Sequence, residues 1–376
     1  MELFILIFIF IALFVAESIY YRLHALDRLN LKVSFSKRVA NCGDDIELIE
    51  VAENKKRLPL PFIILKIEVP RALKFYDMTN TSMSDHLYRE DMLTVKPFSK
   101  HTRRIKAQCT KRGYFVLPRI GITTSDLLLT TRLNRDFPAD SSLTVLPETI
   151  NSDLMKMLTS VTLSELQCRR TLLTDPFSLA GIREYTPHDP MKSINWKASA
   201  RTGELMVNQN ASTCSQKVHV FVNLDYYNPK RSTSLLEKSI SLTYTYLKDL
   251  ADLNIPAAVY TNGLDIITGK PVVSETDLGS ATLEERAEKL ARIDLTKRAS
   301  SFDETLAKYI PSTEQDDFIL VISSQYSDNL QKQLADMKLS RPSLHWLMPC
   351  YKASQKVNID PSLADSYIRW EVLGHD

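Results

Sequence analysis

Between Gly181 and Val207 the sequence reads GIREYTPHDPMKSINWKASARTGELMV, gathering Arg183, Tyr185, His188, Asp189, Trp196, Lys197 and Arg201 around two prolines. Guanidinium groups near a carboxylate suit bidentate ion pairing, and a tryptophan beside basic residues suits packing and recognition alike. His188 next to Asp189 raises acid/base chemistry. Adjacent residues on a turn seldom point at one another, however, and neither a serine elbow nor a cysteine context marks a nucleophile. A surface or packing histidine is the better expectation for His188, and a hydrolase centred on His188 or Asp189 ranks last among the functional readings. Of nine glycines none falls in a G-x-x-x-x-G-K phosphate loop, so nucleotide hydrolysis would belong to another chain.

The local structure of this stretch follows from its residue types. Arg183 and Tyr185 stand two apart on an extended segment and project to the same side. Pro187 and Pro190 enforce a turn around His188-Asp189. Ser193 is the expected N-cap of a short helix through Ile194 to Arg201, Gly203 suits its left-handed C-terminal position, and an extended run resumes at Glu204. Asp189 is a ready acceptor for one of the arginines. Two roles compete for the whole: an interdomain pin, with Trp196 filling a seam, or an exposed docking surface.

The elements around it read in four parts. Leu3 to Ala16 is unbroken apolar sequence that Ile19, Tyr20 and Tyr21 extend to about the ~20 residues needed to cross a bilayer, which makes 1–29 a transmembrane anchor with its juxtamembrane segment. No basic region precedes the run, which disfavours a cleaved signal. Arg22, Arg28, Lys32, Lys37 and Arg38 follow it, which predicts the N-terminus outside and the bulk of the chain in the cytoplasm of a single-pass cell-membrane protein. Residues 30–150 carry short alternating strands spaced by turn residues, the pattern of a β-sandwich. Residues 151–216 form a connecting segment with the motif. In 217–376 apolar strands at Lys217, Ala257, Asp317 and Ser343 alternate with helices near 234–253, 283–293 and 327–338, which predicts a doubly wound α/β domain. The fold class is therefore α+β multidomain.

Composition narrows the partners. Across 376 residues, 47 basic side chains balance 45 acidic ones, so no global field gathers nucleic acid. The cysteines at 42, 109, 168, 214 and 350 are scattered and odd in number, which predicts reduced, mostly buried thiols. Arg103, Arg104, Lys106, Lys111 and Arg112 read as solvated strand faces, and 283–293 as an amphipathic surface helix.

The motif resembles a family signature. Gly181-x-Arg183-x-Tyr185, then Asp189, then Ile194-x-Trp196-Lys197-Ala198-Ser199-Ala200-Arg201-Thr202-Gly203 is similar to that of the bacterial domain of unknown function 58 proteins, usually written Gly-x-Arg-x-Tyr, Gly-Asp and Ile-x-Trp-x-x-Ala/Ser-Ala-Arg. The resemblance extends to Lys111-Arg112-Gly113-Tyr114, to Thr124-Ser125-Asp126, to the anchor and to the α/β end. His188 stands where the family has glycine. The resemblance implies a von Willebrand factor A-like α/β domain in a membrane-anchored bacterial protein-interaction or assembly module. Its implied partner is a MoxR-type AAA+ ATPase, with a transglutaminase-like membrane protein as a further one.

Von Willebrand A domains often hold a divalent cation through Asp-x-Ser-x-Ser at the end of the first strand, since Mg²⁺ needs converging hard oxygens. Here Asp225 is in place, but Tyr227 and Pro229 occupy the hydroxyl positions and Ser323-Ser324-Gln325 stands where a later acid is wanted. Asp225 is thus a weak metal candidate, no cofactor is expected, and a cation-dependent binder is the alternative function.

Overall fold

The computed structural model of the chain describes residues 2–83, 87–126, 132–172, 174–187, 189–212, 217–225, 229–277, 280–298, 300–351 and 358–372. They divide into two compact units, residues 1–148 with 290–292, and residues 149–289 with 293–376.

The first unit opens with helix α1 (Glu2–His24), of which Phe4–His24 is long and apolar enough to cross a membrane. Side chains from Phe4 to Leu13 are exposed along this helix, because nothing in the unit packs against them. Its last turn behaves differently. Tyr21 and, just beyond the helix, Ala25 are buried in the core of the unit, and the Tyr21 hydroxyl donates to the Pro59 carbonyl. Lys56 Nζ donates to the carbonyls of Ala25 and Asp27. Buried Asn54 donates to the carbonyls of Leu58 and Lys96 at 2.8 and 3.2 Å. Segments 25–28, 55–59 and 96–99 are thereby tied into one rim at the end of α1.

The strands are β1 (Leu29–Phe35), β2 (Val39–Asn41), β3 (Asp45–Asn54), β4 (Leu60–Val69), β5 (Leu73–Phe75), β6 (Thr81–Met83), β7 (Leu87–Val95), β8 (Ser99–Cys109), β9 (Gly113–Ser125) and β10 (Arg132–Leu146). One sheet runs β1-β3-β8-β5, and the other runs β2-β10-β9-β4-β7-β6. Alternate residues of both enter one shared core, among them Leu31 and Val33, Ile46 and Leu48, Ile63 and Leu65, and Ile120 and Ile122. That is a β-sandwich. β10 spans 15 residues, and a register shift between Pro138 and Ser141 breaks its ladder with β9. Proline has no amide to donate there.

The same alternation carries charge inward. Ile46, Leu48, Glu50 and Ala52 face the core from β3, and Leu87, Arg89, Asp91 and Leu93 face it from β7. Glu50, Arg89 and Asp91 are fully buried. Arg89 Nε lies 2.6 Å from Asp91 Oδ2, and Arg103, the β8 partner of Glu50 in the ladder, puts Nη1 2.9 Å from Asp91 Oδ1. Arg89 also donates to the Asp77 carbonyl at 2.8 Å and lies 5.2 Å over the Phe75 ring. The expectation of a solvated basic face at Arg103 is corrected: its side chain turns into the sandwich to reach a buried acid. Arg104, one residue on, stays exposed against Glu47.

The second unit contains α2 (Asp153–Leu172), β11 (Thr174–Glu184), α3 (Trp196–Thr202), β12 (Met206–Ser212), β13 (Val218–Val222), α4 (Pro229–Asp252), β14 (Ala257–Asp265), β15 (Pro271–Asp277), α5 (Ser280–Ala291), β16 (Ile293–Arg298), α6 (Phe302–Tyr309), β17 (Phe318–Ile322), α7 (Asp328–Ser340), β18 (Leu344–Tyr351) and β19 (Tyr367–Val372). A seven-stranded sheet runs β15-β14-β13-β17-β18-β19, with β16 also on β14. The pairs β13·β14, β13·β17, β17·β18 and β18·β19 are parallel. β15 and β16 join β14 antiparallel.

Both faces of this sheet are covered, so every residue of its central strands β13 and β17 is buried, His219 included. Phe221, Ile319, Val321 and Trp346 pack with Phe302 and Leu306 of α6 and Leu330 and Leu334 of α7. Intervening residues point the other way, and there His345 meets Glu165 of α2 at 2.6 Å while Thr162 of α2 meets Tyr246 of α4 at 2.7 Å. α2 was not evident in the sequence, where 151–216 read as a connecting segment. On α5, Lys289 and Glu285 pair at 2.7 Å as the amphipathic spacing predicts.

Buried polar groups fix the start of this sheet. Asp317 accepts from the amides of Lys217 and Glu314 at 3.0 and 2.9 Å, and its Oδ2 is 2.9 Å from His219 Nε2. Burial opposes ionisation of Asp317, but these hydrogen bonds outweigh it and hold the carboxyl below its ordinary value. The stabilisation is present above the unfolded carboxyl range and is lost as pH falls through the lower folded value. Asp317→Ala is expected to cost about 2 kcal/mol by urea unfolding at neutral pH, because two amides and His219 lose their acceptor. The loss should shrink in acid.

Among the cysteines, Cys109 and Cys350 are buried, Cys42 is half-buried, and all three are free thiols. Burial pushes the Cys109 thiol up to about 11, so it stays protonated and inert. The Cys168 side chain and Cys214 lie outside the described residues.

Candidate functional site

The motif folds as a small layer on the β11–β12 pair. Ile182, Arg183 and Glu184 face Asn208, Val207 and Met206 across the ladder, and the Tyr185 amide extends it by donating to the Leu205 carbonyl at 2.8 Å. Arg183 binds Asp189 bidentately, Nη1 to Oδ2 at 2.7 Å and Nη2 to Oδ1 at 2.5 Å. Asp189 also accepts from the Thr186 amide and hydroxyl at 2.9 and 2.8 Å. The Arg183 guanidinium, then the Thr186 bonds, hold its carboxyl well below the usual carboxylate range, while Asp189 in turn raises Arg183. An acid so held is a poor proton acceptor, which weighs against acid/base use. His188 lies outside the described residues.

The helix start differs from expectation. Met191–Ser193 is a 3₁₀ turn in which the Ser193 hydroxyl donates back to the Pro190 carbonyl. The N-cap of α3 is Asn195, whose Oδ1 accepts from the Ala198 amide at 3.0 Å and whose Nδ2 donates to Asn208 Oδ1 on β12 at 2.7 Å. The bridge from Ile194 to Val207 draws the chain back to β12 and delays the helix by two residues. Both serine and asparagine are good caps, so only the pairing decides between them. Gly203 closes the helix in the left-handed region at φ 81°. Ser199 Oγ donates to the Asn195 carbonyl at 2.9 Å and accepts from the Met206 amide at 2.8 Å.

These bonds sort the motif. Arg183, Asp189, Asn195, Ser199 and Gly203 build the layer, and Tyr185 is half-buried beside it. Lys197 and Arg201 are one helical turn apart on one face of α3 and both are exposed, next to Trp196 and Ala200. Trp196 is 66 % exposed. The side chain of α3 that ties the helix to β12 is Ser199. Asn195 and Ser199 are not among the candidate site residues of the motif, although an asparagine at a helix start and a small polar residue one turn on are signals of a cap.

Asp225 is committed elsewhere: its Oδ2 accepts from the Phe302 amide at the start of α6 at 3.1 Å. Ser323 Oγ accepts from Asn223 Nδ2 at 3.0 Å and from the Gln325 amide at 3.1 Å. Pro229 opens α4, and Tyr227 lies outside the described residues. Among the described residues the strand-end position therefore presents one carboxylate, amides and a serine, fewer hard oxygens than a divalent cation takes. Among the described residues no group of three or more His, Cys, Asp or Glu side chains is placed to hold a metal ion.

No family model matches the chain. No curated protein matches it. Solved structures that resemble part of it include the CARDB domain of a Pyrococcus furiosus protein, at 15 % identity over 32 % of this chain and 96 % of that one, with a TM-score of 0.21. A non-cellulosomal cohesin from Archaeoglobus fulgidus matches at 13 % identity over 34 % of this chain and 97 % of its own, with a TM-score of 0.20. A cohesin from a Clostridium thermocellum type I cohesin–dockerin complex matches at 11 % identity over 32 % of this chain and all of its own (100 %), with a TM-score of 0.22. Likenesses this slight carry no argument about what the chain binds.

Proposed function

We propose that this chain is a membrane-anchored protein-interaction or assembly module of the domain of unknown function 58 type. In this reading α1 is the anchor, the bulk of the chain faces the cytoplasm, the parallel sheet belongs to a von Willebrand factor A-like domain, and the face of α3 docks a MoxR-type AAA+ ATPase. Burial of Tyr21 and Ala25 in the sandwich core supports a retained anchor, since removal of α1 would take a core residue with it. The observation that carries the docking surface is the division of labour in the motif. Arg183, Asp189, Asn195 and Ser199 are used internally, while Trp196, Lys197 and Arg201 project from a rigid, capped turn. An exposed tryptophan with an arginine on the same short helix is the composition of an interface hot spot.

A pull-down from native membranes, with recovered chains identified by mass spectrometry, tests this. Parent protein is expected to retain a MoxR-type ATPase, whereas Trp196→Ala and Arg201→Glu lose it with thermal unfolding within about 0.5 kcal/mol of the parent, the range for exposed positions. Arg183→Ala should instead lower the unfolding temperature. Retention of the ATPase by Trp196→Ala would sink the docking site.

A further inference from the structure

The rim at the end of α1 gathers charge from three separate parts of the sequence. The Lys55 amide donates to the Arg28 carbonyl at 3.1 Å, the Phe98 amide donates to the Lys56 carbonyl at 3.2 Å, and Lys100 faces Glu53 across the β3–β8 ladder. Arg22, Arg28, Lys55, Arg57, Lys96 and Lys100 are all exposed there. The exposed or half-buried acids there are Asp27, which pairs with His24 at 2.9 Å, and Glu53, which lies 3.4 Å from Lys55, while Glu17 and buried Asp126 stand behind them near Tyr21. Phe98 is 67 % exposed and Leu23 is 66 % exposed in the same rim. Phe98 also sits at φ 49°, a conformation rare for aromatic residues that the bond to Lys56 helps to hold.

We propose that this rim is a binding surface for anionic lipid headgroups, a proposal that rests on α1 spanning the membrane. Chain continuity sets the occupant. A helix that leaves the bilayer near Tyr20 delivers the rim to headgroup depth, because Tyr21 and Lys56 tie segments 25–28 and 55–59 to the helix end within one unit. At that depth basic side chains meet the negative surface of the leaflet and exposed Phe98 and Leu23 meet the acyl boundary. Of the basic residues that the sequence places after the apolar run, Arg22 and Arg28 belong to this rim. Folding adds Lys55, Arg57, Lys96 and Lys100, which no count near the helix includes. The surface would hold the sandwich down on its membrane rather than leave it swinging from the anchor.

The test is hydrogen exchange by mass spectrometry on the full chain in nanodiscs of phosphatidylcholine, or of an equal mixture of phosphatidylcholine and phosphatidylglycerol. Incorporation should be the same in both. Amides of 55–58 and 98–100 should exchange about fivefold more slowly in the anionic discs, the effect of roughly one basic residue at a charged surface, and the slowing should vanish at about 1 M NaCl, where the Debye length is ~3 Å. The variant carrying Lys55→Glu, Arg57→Glu and Lys96→Glu should incorporate normally and lose the slowing. Equal exchange in both lipids, or slowing that survives charge reversal, overturns the proposal. So does equal slowing by inorganic phosphate in neutral discs, which would assign the rim to a free anion. A chain that enters neither disc removes the membrane-spanning reading and the rim together, whereas entry without slowing removes the rim alone.

Discussion

Arg89→Met is expected to destabilise the chain by about 4 kcal/mol, the largest effect of any single substitution considered. Methionine fills much of the arginine's volume, so little cavity forms. What is lost is the counter-charge of Asp91, which is fully buried and sits 2.6 Å from Arg89 Nε. Arg103 and Asn80 still reach Asp91 at 2.9 Å each, but Arg103 is 30 % exposed and answers a buried carboxylate from the edge of the cluster. Removing one member of a buried pair leaves the other uncompensated, while removing both can be close to neutral. The double variant Arg89→Met, Asp91→Leu is therefore expected to recover most of the loss. Urea unfolding measures both. A single-variant cost below about 1 kcal/mol would mean that water or neighbouring dipoles already satisfy Asp91.

Glu50→Gln is expected to stabilise the chain, and to do so only above acid pH. Burial, and after it the charge on Asp91, push the Glu50 carboxyl up from 4.5 to about 8. At neutral pH the folded chain keeps a proton that the unfolded chain releases. The folded chain binds more protons between those two values, so stability from this group is complete below 4.5 and declines as pH rises toward 8, levelling off above it. Glutamine carries no such proton requirement. The gain should be near zero at pH 4.5 and on the order of 3 kcal/mol at pH 7, since each pH unit in that interval is worth 1.36 kcal/mol. Protonated Glu50 faces Asp91, and the glutamine amide can offer a donor to the same carboxylate without a titrating proton. Chemical unfolding of parent and variant across this pH range decides the matter. A constant difference between them would remove the titration of Glu50 from the explanation.

Both predictions concern residues that the sequence did not single out. In Ile46-Glu-Leu-Ile-Glu-Val, apolar residues fall on both faces of the strand, and the pattern leaves open whether Leu48 and Glu50 or Ile49 and Val51 point inward. Register against β8 and the facing sheet decides it, and the decision buries a carboxylate. A one-residue slip would have put Glu50 in water. The α3 cap is a similar case. Ser193 and Asn195 are both competent, and the Ile194–Val207 bridge selects the second.

Features carried by local composition were legible from the sequence alone: the apolar helix, the strand–helix alternation after Lys217, the left-handed stop at Gly203, and an arginine partner for Asp189 within the motif, which the structure assigns to Arg183. Each depends on a short window whose residues choose their own conformation or partner. The antiparallel edges β15 and β16, the packing of α2 against α4, the buried Glu50–Arg89–Asp91 cluster and the basic rim around the end of α1 were decided by tertiary structure. Their partners are tens of residues away in the chain, and only the pairing of strands and the closure of loops bring those side chains into the same few ångströms.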